Sequence, residues 1–139
     1  MAAVGKEVNM HTRMKDLTVD LGPDQPGTLG RAFKTIADAG INIEGYAEIG
    51  GTLHVLTKDA APTRRALESG SFRINREDEV VVADVPDRPG TAANIFRQLG
   101  DANVNVTFSY VATGNRGVVG ATNVTKAAEV IARQTAAVS

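Results

Sequence analysis

One short pattern occurs twice in this chain, and the repetition limits its fold more than any other feature. Pro23-Asp24-Gln25-Pro26-Gly27-Thr28 returns as Pro86-Asp87-Arg88-Pro89-Gly90-Thr91, a shift of 63 residues. At the same shift and without a gap, Val19 meets Val82, Phe33 meets Phe96, and Asp38-Ala39 meets Asp101-Ala102. Ile41-Asn42-Ile43 likewise meets Val104-Asn105-Val106. Matches at the same stations of two segments make each segment one supersecondary unit. The 139 residues then divide into an N-terminal extension over 1–14 and two small domains over 15–77 and 78–139.

Each copy reads as strand, turn, helix, strand, strand, helix. Leu17-Thr18-Val19-Asp20-Leu21 alternates apolar and polar at period two, the mark of a half-buried strand. Its partner, Val80-Val81-Val82-Ala83-Asp84-Val85, is a more continuous apolar run and predicts burial on both faces. After each Pro-Gly turn comes a helical stripe: Leu29, Ala32, Phe33, Ile36 and Ala37 in the first copy, Ala92, Ile95, Phe96 and Leu99 in the second. Gly40 closes the first helix as a left-handed cap, and Asn103, the next best residue for that conformation, stands at its station. Two strands and a second helix follow, with the second hairpin longer by about three residues. The helices are expected near 62–69 and 125–137.

The first copy closes with a strand over 72–76, and Arg76-Glu77-Asp78-Glu79 reads as a solvated bend. The second copy has no counterpart to that strand, which leaves a sheet edge open to pairing. Residues 4–13 could fill the gap, another subunit could, or those residues could be a loose extension before an older start at Met14.

Composition narrows the function. A hydrophobic content of 42% supports a packed core, and with no Trp the large fillers are Phe33, Phe72, Phe96 and Phe108. A formal charge of −1 supplies no basic field for nucleic acid or an anionic membrane, so neither partner is expected. No apolar stretch approaches the roughly 20 residues of a spanning helix, and the first residues lack a signal peptide's apolar core, so a cytoplasmic location is expected. Without cysteine there is no thiolate metal site or cysteine nucleophile.

The paired turn is the candidate site. A helix start offers unpaired N–H donors and the positive end of the helix dipole, which suit a carboxylate. Proline fits a first helical turn, and the glycine beside it bares a backbone amide. Asp24 and Asp87 can accept from an ammonium group or brace the turn; Asn42 and Asn105 can donate and accept, or satisfy their own backbone. Thr28 and Thr91, next in the motif, complete the set with Gly27 and Gly90.

Asp24-Gln25-Pro26-Gly27-Thr28-Leu29, followed by an amphipathic helix and Ala39-Gly40-Ile41-Asn42-Ile43, resembles the ACT domain of amino-acid-responsive regulators. The likeness covers both copies, from about residue 15 to 136. It implies an α+β chain of two ferredoxin-like βαββαβ modules with antiparallel sheets, the second lacking its last strand. Such modules pair, often into one eight-stranded sheet, and bind ligands at the module interface near the turn after the first strand. By position, Asp24, Gly27, Asn42, Asp87, Gly90 and Asn105 inherit the expectation of ligand contact. The second copy departs in Ala92 for Leu29 and Asn103 for Gly40, so the two pockets are expected to be unequal.

No catalytic residues, metal ligands or cofactor are expected. His11 lies in the extension, and His54, between Leu53 and Val55, faces away from both and is either structural or ligand-lining. Tyr46 and Tyr110 line a pocket or cover the sheet. Arg31, Lys34 and Arg97 read as helix-surface charges. The expectation is a non-catalytic protein that binds a small amino acid and signals to a homo-oligomeric partner or a separate metabolic enzyme. The alternatives are a docking subunit without its own ligand and, third, a small enzyme on the same scaffold.

Overall fold

The computed structural model describes residues 11–138 and forms two compact units. The first module is Met14–Asp78; the second joins residues 11–13 to residues 79–138. In chain order the elements are β1 (His11–Asp20), α1 (Thr28–Asp38), β2 (Gly45–Ile49), β3 (Thr52–Thr57), α2 (Ala60–Ser69) and β4 (Arg73–Asp84). Then follow α3 (Thr91–Asp101), β5 (Val106–Ala112), β6 (Arg116–Ala121) and α4 (Val124–Val138). The repeating strand-helix-strand-strand-helix order is the α+β pattern the sequence leads one to expect.

In the first module β3 is flanked by antiparallel neighbours, β1 with Leu17 opposite Val55 and Val19 opposite Leu53, and β2 with Tyr46 opposite Val55. The face carrying Leu17, Val19, Leu21, Leu53 and Val55 buries itself with Ala32 and Ile36 of α1, Leu67 of α2 and Phe72. In the second module β6 takes the central place, with Val81 of β4 opposite Val119 and Tyr110 of β5 opposite Val118. Its core joins Val81, Ala83 and Val119 to Ile95 and Leu99 of α3 and to Ala127, Val130 and Ile131 of α4.

These pairings shift the alignment of the two copies. Leu17 and Val19 face the first core, while Val81 and Ala83 face the second. Asp20 opposite Thr52 corresponds to Asp84 opposite Arg116, so the first strands match at 64 residues and not 63. Val19 is therefore equivalent to Ala83, and the gapless match of Val19 to Val82 puts the side chain on the wrong face, as any one-residue slip does. The extra residue lies in the loop before the turn. The hairpins differ by one residue and not three: Gly50-Gly51 joins β2 to β3, and Thr113-Gly114-Asn115 joins β5 to β6. Both loops turn through positive φ, at Gly50, Gly51, Gly114 and Asn115.

The charge run 76–79 is not a bend. β4 passes through it as one strand, ending the first module's βαββαβ order and opening the second's. Side chains two apart share a strand face, so Arg76 reaches Asp78 at 3.0 Å, while Arg64 reaches Glu77 at 3.4 Å. Beside it, His11–Arg13 is strand belonging to the second module, where Arg13 pairs with Glu79 at 2.8 Å. The described part of the extension thus gives strand residues to the second module; residues 4–10 lie outside the described residues.

The helix ends follow the capping chemistry. Gly40 (φ 74°) donates to Ala37 O and Ile41 to Ile36 O, and Asn103 (φ 61°) and Val104 repeat both bonds to Gly100 O and Leu99 O. This is the Schellman closure with glycine in one copy and asparagine in the other.

Candidate functional site

The two Pro-Gly turns have the same backbone. Gly27 (φ 90°, ψ −10°) and Gly90 (φ 91°, ψ −13°) are the N-cap residues of α1 and α3, in a left-handed conformation that a side chain would strain. Glycine is required here for its φ, and Pro26 and Pro89 precede the cap instead of occupying the first helical turn. Thr28 N–H donates to Gln25 O at 3.4 Å and Thr91 N–H to Arg88 O at 3.3 Å. No side chain caps either helix. The amides at the second and third helical positions, Leu29 and Gly30 or Ala92 and Ala93, have no partner within the helix.

In the second module this helix start borders a cavity of about 500 Å³. Its floor is apolar, with Ala83 in β4, Ile95 on α3, Val119 and Ile131 buried and Val85, just after β4, half-buried, while Ala92 and Phe96 of α3 line it from exposed positions. Its rim is charged and polar, with Asp87 and Arg88 from the turn, Thr91 at the helix start, Ser109 and Tyr110 on β5, and Asn115 and Arg116 from the hairpin. Arg116 is fixed from below, donating Nε to Thr113 O at 2.7 Å and Nη2 to Thr113 Oγ1 at 2.8 Å. Val85 N–H donates to Asn115 O at 2.8 Å, which ties the hairpin tip to the turn.

Asp87 and Thr91 thus line the cavity with Gly90 beside them. Asn105 is not among the lining residues; its carbonyl accepts from Thr122 N–H at 3.1 Å. Both asparagines precede their strands. Asn42 is exposed and donates Nδ2 to Glu44 Oε2 at 3.1 Å. In the first module Asp24 and Gly27 are exposed and Thr28 is half-buried. The residues that sequence reasoning missed are Arg88, Arg116, Val85 and Ala92. Arg88 and Ala92 sat in view as repeat differences, whereas nothing in the pattern points to Arg116.

The aromatic residues part company. Phe96 is not a core filler: it is 39% exposed and lines the cavity. Tyr110 also lines it, with its ring stacked on Phe108 at 6.2 Å. Tyr46, 53% exposed, meets Phe33 edge to face at 4.9 Å. Arg31 is more than a surface charge, since its guanidinium lies 4.3 Å above the Phe72 ring and donates to Gly70 O at 2.9 Å.

His54 belongs to the first module's sheet. Leu53 and Val55 face the core, and on the opposite face His54 Nδ1 meets Oδ2 of the fully buried Asp16 at 2.9 Å, with Thr18 Oγ1 donating to the same oxygen at 3.3 Å. Among the described residues no three histidine, aspartate or glutamate side chains are grouped to hold a metal ion, and no helix is long and apolar enough to cross a membrane.

No known family model matches the chain. Over 61 residues it is 36% identical to the aspartokinase of Corynebacterium efficiens and 34% identical to that of Corynebacterium glutamicum. Each match spans 44% of this chain but only 14% of the relative's length. A Bacteroides thetaiotaomicron protein superposes with a TM-score of 0.70 at 23% identity, covering 90% of this chain and 89% of its own. The regulatory subunit of aspartate kinase from Thermus flavus gives 0.65 at 18% identity, covering 90% and 94%. Escherichia coli aspartokinase III, solved with lysine and aspartate, gives 0.58 at 12% identity over 88% of this chain and 31% of that one. In fold, this chain is similar over most of its length to the regulatory subunit of aspartate kinase, a likeness in line with the regulatory-domain resemblance of its doubled turn motif.

Proposed function

We propose that this chain is a non-catalytic regulatory protein that binds an amino acid in the second module's cavity and signals to a separate protein. The observation that carries the reading is the meeting of three groups at one rim. Open amides at the start of α3 and the guanidinium groups of Arg88 and Arg116 suit an α-carboxylate, and the Asp87 carboxylate suits an α-ammonium. A volume of about 500 Å³ lies within the range of small-molecule sites. The ACT resemblance adds that a paired module covers such a ligand, in the same chain or a second copy, so that binding changes the surface offered to a partner. The aspartokinase relatives make a metabolic enzyme the natural partner class, and the aspartokinase III structure shows that one protein of this fold was solved with amino acids.

The test is a thermal-shift screen of the twenty amino acids at millimolar concentration. Binding to the folded state alone raises stability by about 2.7 kcal/mol at a hundredfold excess over Kd. At least one amino acid is expected to raise Tm, and Asp87→Asn or Arg116→Ala is expected to remove that rise. Twenty flat traces would contradict the reading and turn the search to a docked enzyme.

A further inference from the structure

We infer that the amino acid taken by the second module carries a large apolar side chain, because the cavity is the space that aliphatic core residues occupy in the first module. The inference rests on the proposed amino-acid site and concerns what fills its floor.

The strand pairings and the matched helix starts give the equivalences directly. Val19 opposite Leu53 corresponds to Ala83 opposite Gly117. Leu21 N–H donates to Gly51 O, the last residue of its hairpin loop, and Val85 N–H donates to Asn115 O, the last of its own. Leu29 and Ala92 both stand two residues after the left-handed cap glycine. At all four stations the second module carries the smaller residue, and all four smaller residues line the cavity: Ala83, Val85, Ala92 and Gly117. Their counterparts Val19, Leu21 and Leu53 are core residues of the first module, with Leu29 packed against them. Ile95 in place of Ala32 returns only part of the lost volume.

An emptied apolar site does not select for a charged or hydroxylated side chain, because burying such a group there without partners is costly. It selects for what it lacks. The polar groups of the cavity stand at the rim, where they meet the parts all amino acids share, and the floor of Ala83, Val85, Ile95, Val119 and Ile131 meets the part that differs. Leucine, isoleucine, methionine and phenylalanine fit this division; lysine, threonine and aspartate do not.

The experiment is calorimetric titration of the full chain with those seven amino acids, on wild type, Ala92→Leu and Leu29→Ala. At least one apolar amino acid is expected to bind roughly tenfold or more tighter than lysine, threonine and aspartate, the discrimination that one or two buried methylenes supply. Ala92→Leu restores the first module's residue at an exposed helical station. It is expected to keep or raise the ligand-free Tm and to weaken the apolar ligand at least tenfold. Leu29→Ala is expected to leave affinity within about twofold. Tightest binding of lysine, threonine or aspartate would overturn the inference while leaving an amino-acid site in place, as would an Ala92→Leu variant that binds as wild type does. No heat with any amino acid would overturn the site itself.

Discussion

Two polar residues set the character of the chain at the scale of single side chains. Asn103 sits at φ 61° and closes α3 as Gly40 closes α1. Asparagine tolerates that conformation where a residue with only a Cβ does not, so Asn103→Ala is expected to lower stability by about 1 kcal/mol and Asn103→Gly to hold or raise it. Urea unfolding of the three proteins measures both. Sequence alone identified this residue, because capping depends on local backbone chemistry. His54 was left open by its sequence, since a lone histidine in an apolar strand has no local clue to its partner. Its contact, Asp16, lies 38 residues away and becomes visible only through the pairing of β1 with β3. Removing it with His54→Ala takes a partner from a buried carboxylate, an expected cost of about 1–3 kcal/mol in thermal or urea unfolding. Affinity for the amino acid should not change, because Asp16 and His54 belong to the first module and the cavity to the second. An affinity loss with intact stability would make His54 a ligand residue instead.

Elements show where pattern reading holds and where it slips. The stripe of α1 was legible because a 3.6-residue period is unambiguous over eleven residues, and Ile36, fully buried within it, is expected to cost about 2–5 kcal/mol as Ile36→Ala. The strand run 80–85 gave the opposite outcome. Val80, Val81, Val82 and Ala83 are all buried, so both faces look alike in sequence, and the gapless repeat match chose the wrong one. Only the opposite partners, Val119 and Gly117, fix which side meets the helices. The run 76–79 misled for a related reason: four charged residues suggest a turn, but in β4 they are spread along a strand and held in ion pairs. Hydrogen exchange is expected to show protected amides within 76–79; uniformly fast exchange there would restore the bend.

Across the whole molecule, the duplicated motif gave the architecture and concealed the asymmetry. The repeat stands out because Asp, Pro and Gly serve the same turn twice, with cap glycines within 3° of one another in both φ and ψ. The inequality of the modules lies in the residues around that turn. Leu29 against Ala92 was visible as a difference, but its meaning depends on Ala83, Val85 and Gly117, which align with their counterparts only after the one-residue slip is known. Asn42 and Asn105 drew attention as recurring polar residues, yet the cavity's polar rim is built from Asp87, Arg88 and Arg116. A hairpin arginine has no fixed station in a repeat whose loops differ in length. Sequence therefore supplied the frame and one side of the site, and the fold supplied the other.

An amino acid bound in the second module is what joins the turn, the cavity and the proposed regulation. Amide chemical-shift mapping of the full chain, titrated with the tightest-binding amino acid from the screen, tests it most directly. Saturable shifts are expected at Asp87, Arg88, Thr91, Ala92 and Gly117, larger than those at Asp24, Thr28 and Leu29. Shifts confined to the turn of the first module, or none at millimolar amino acid, would contradict it.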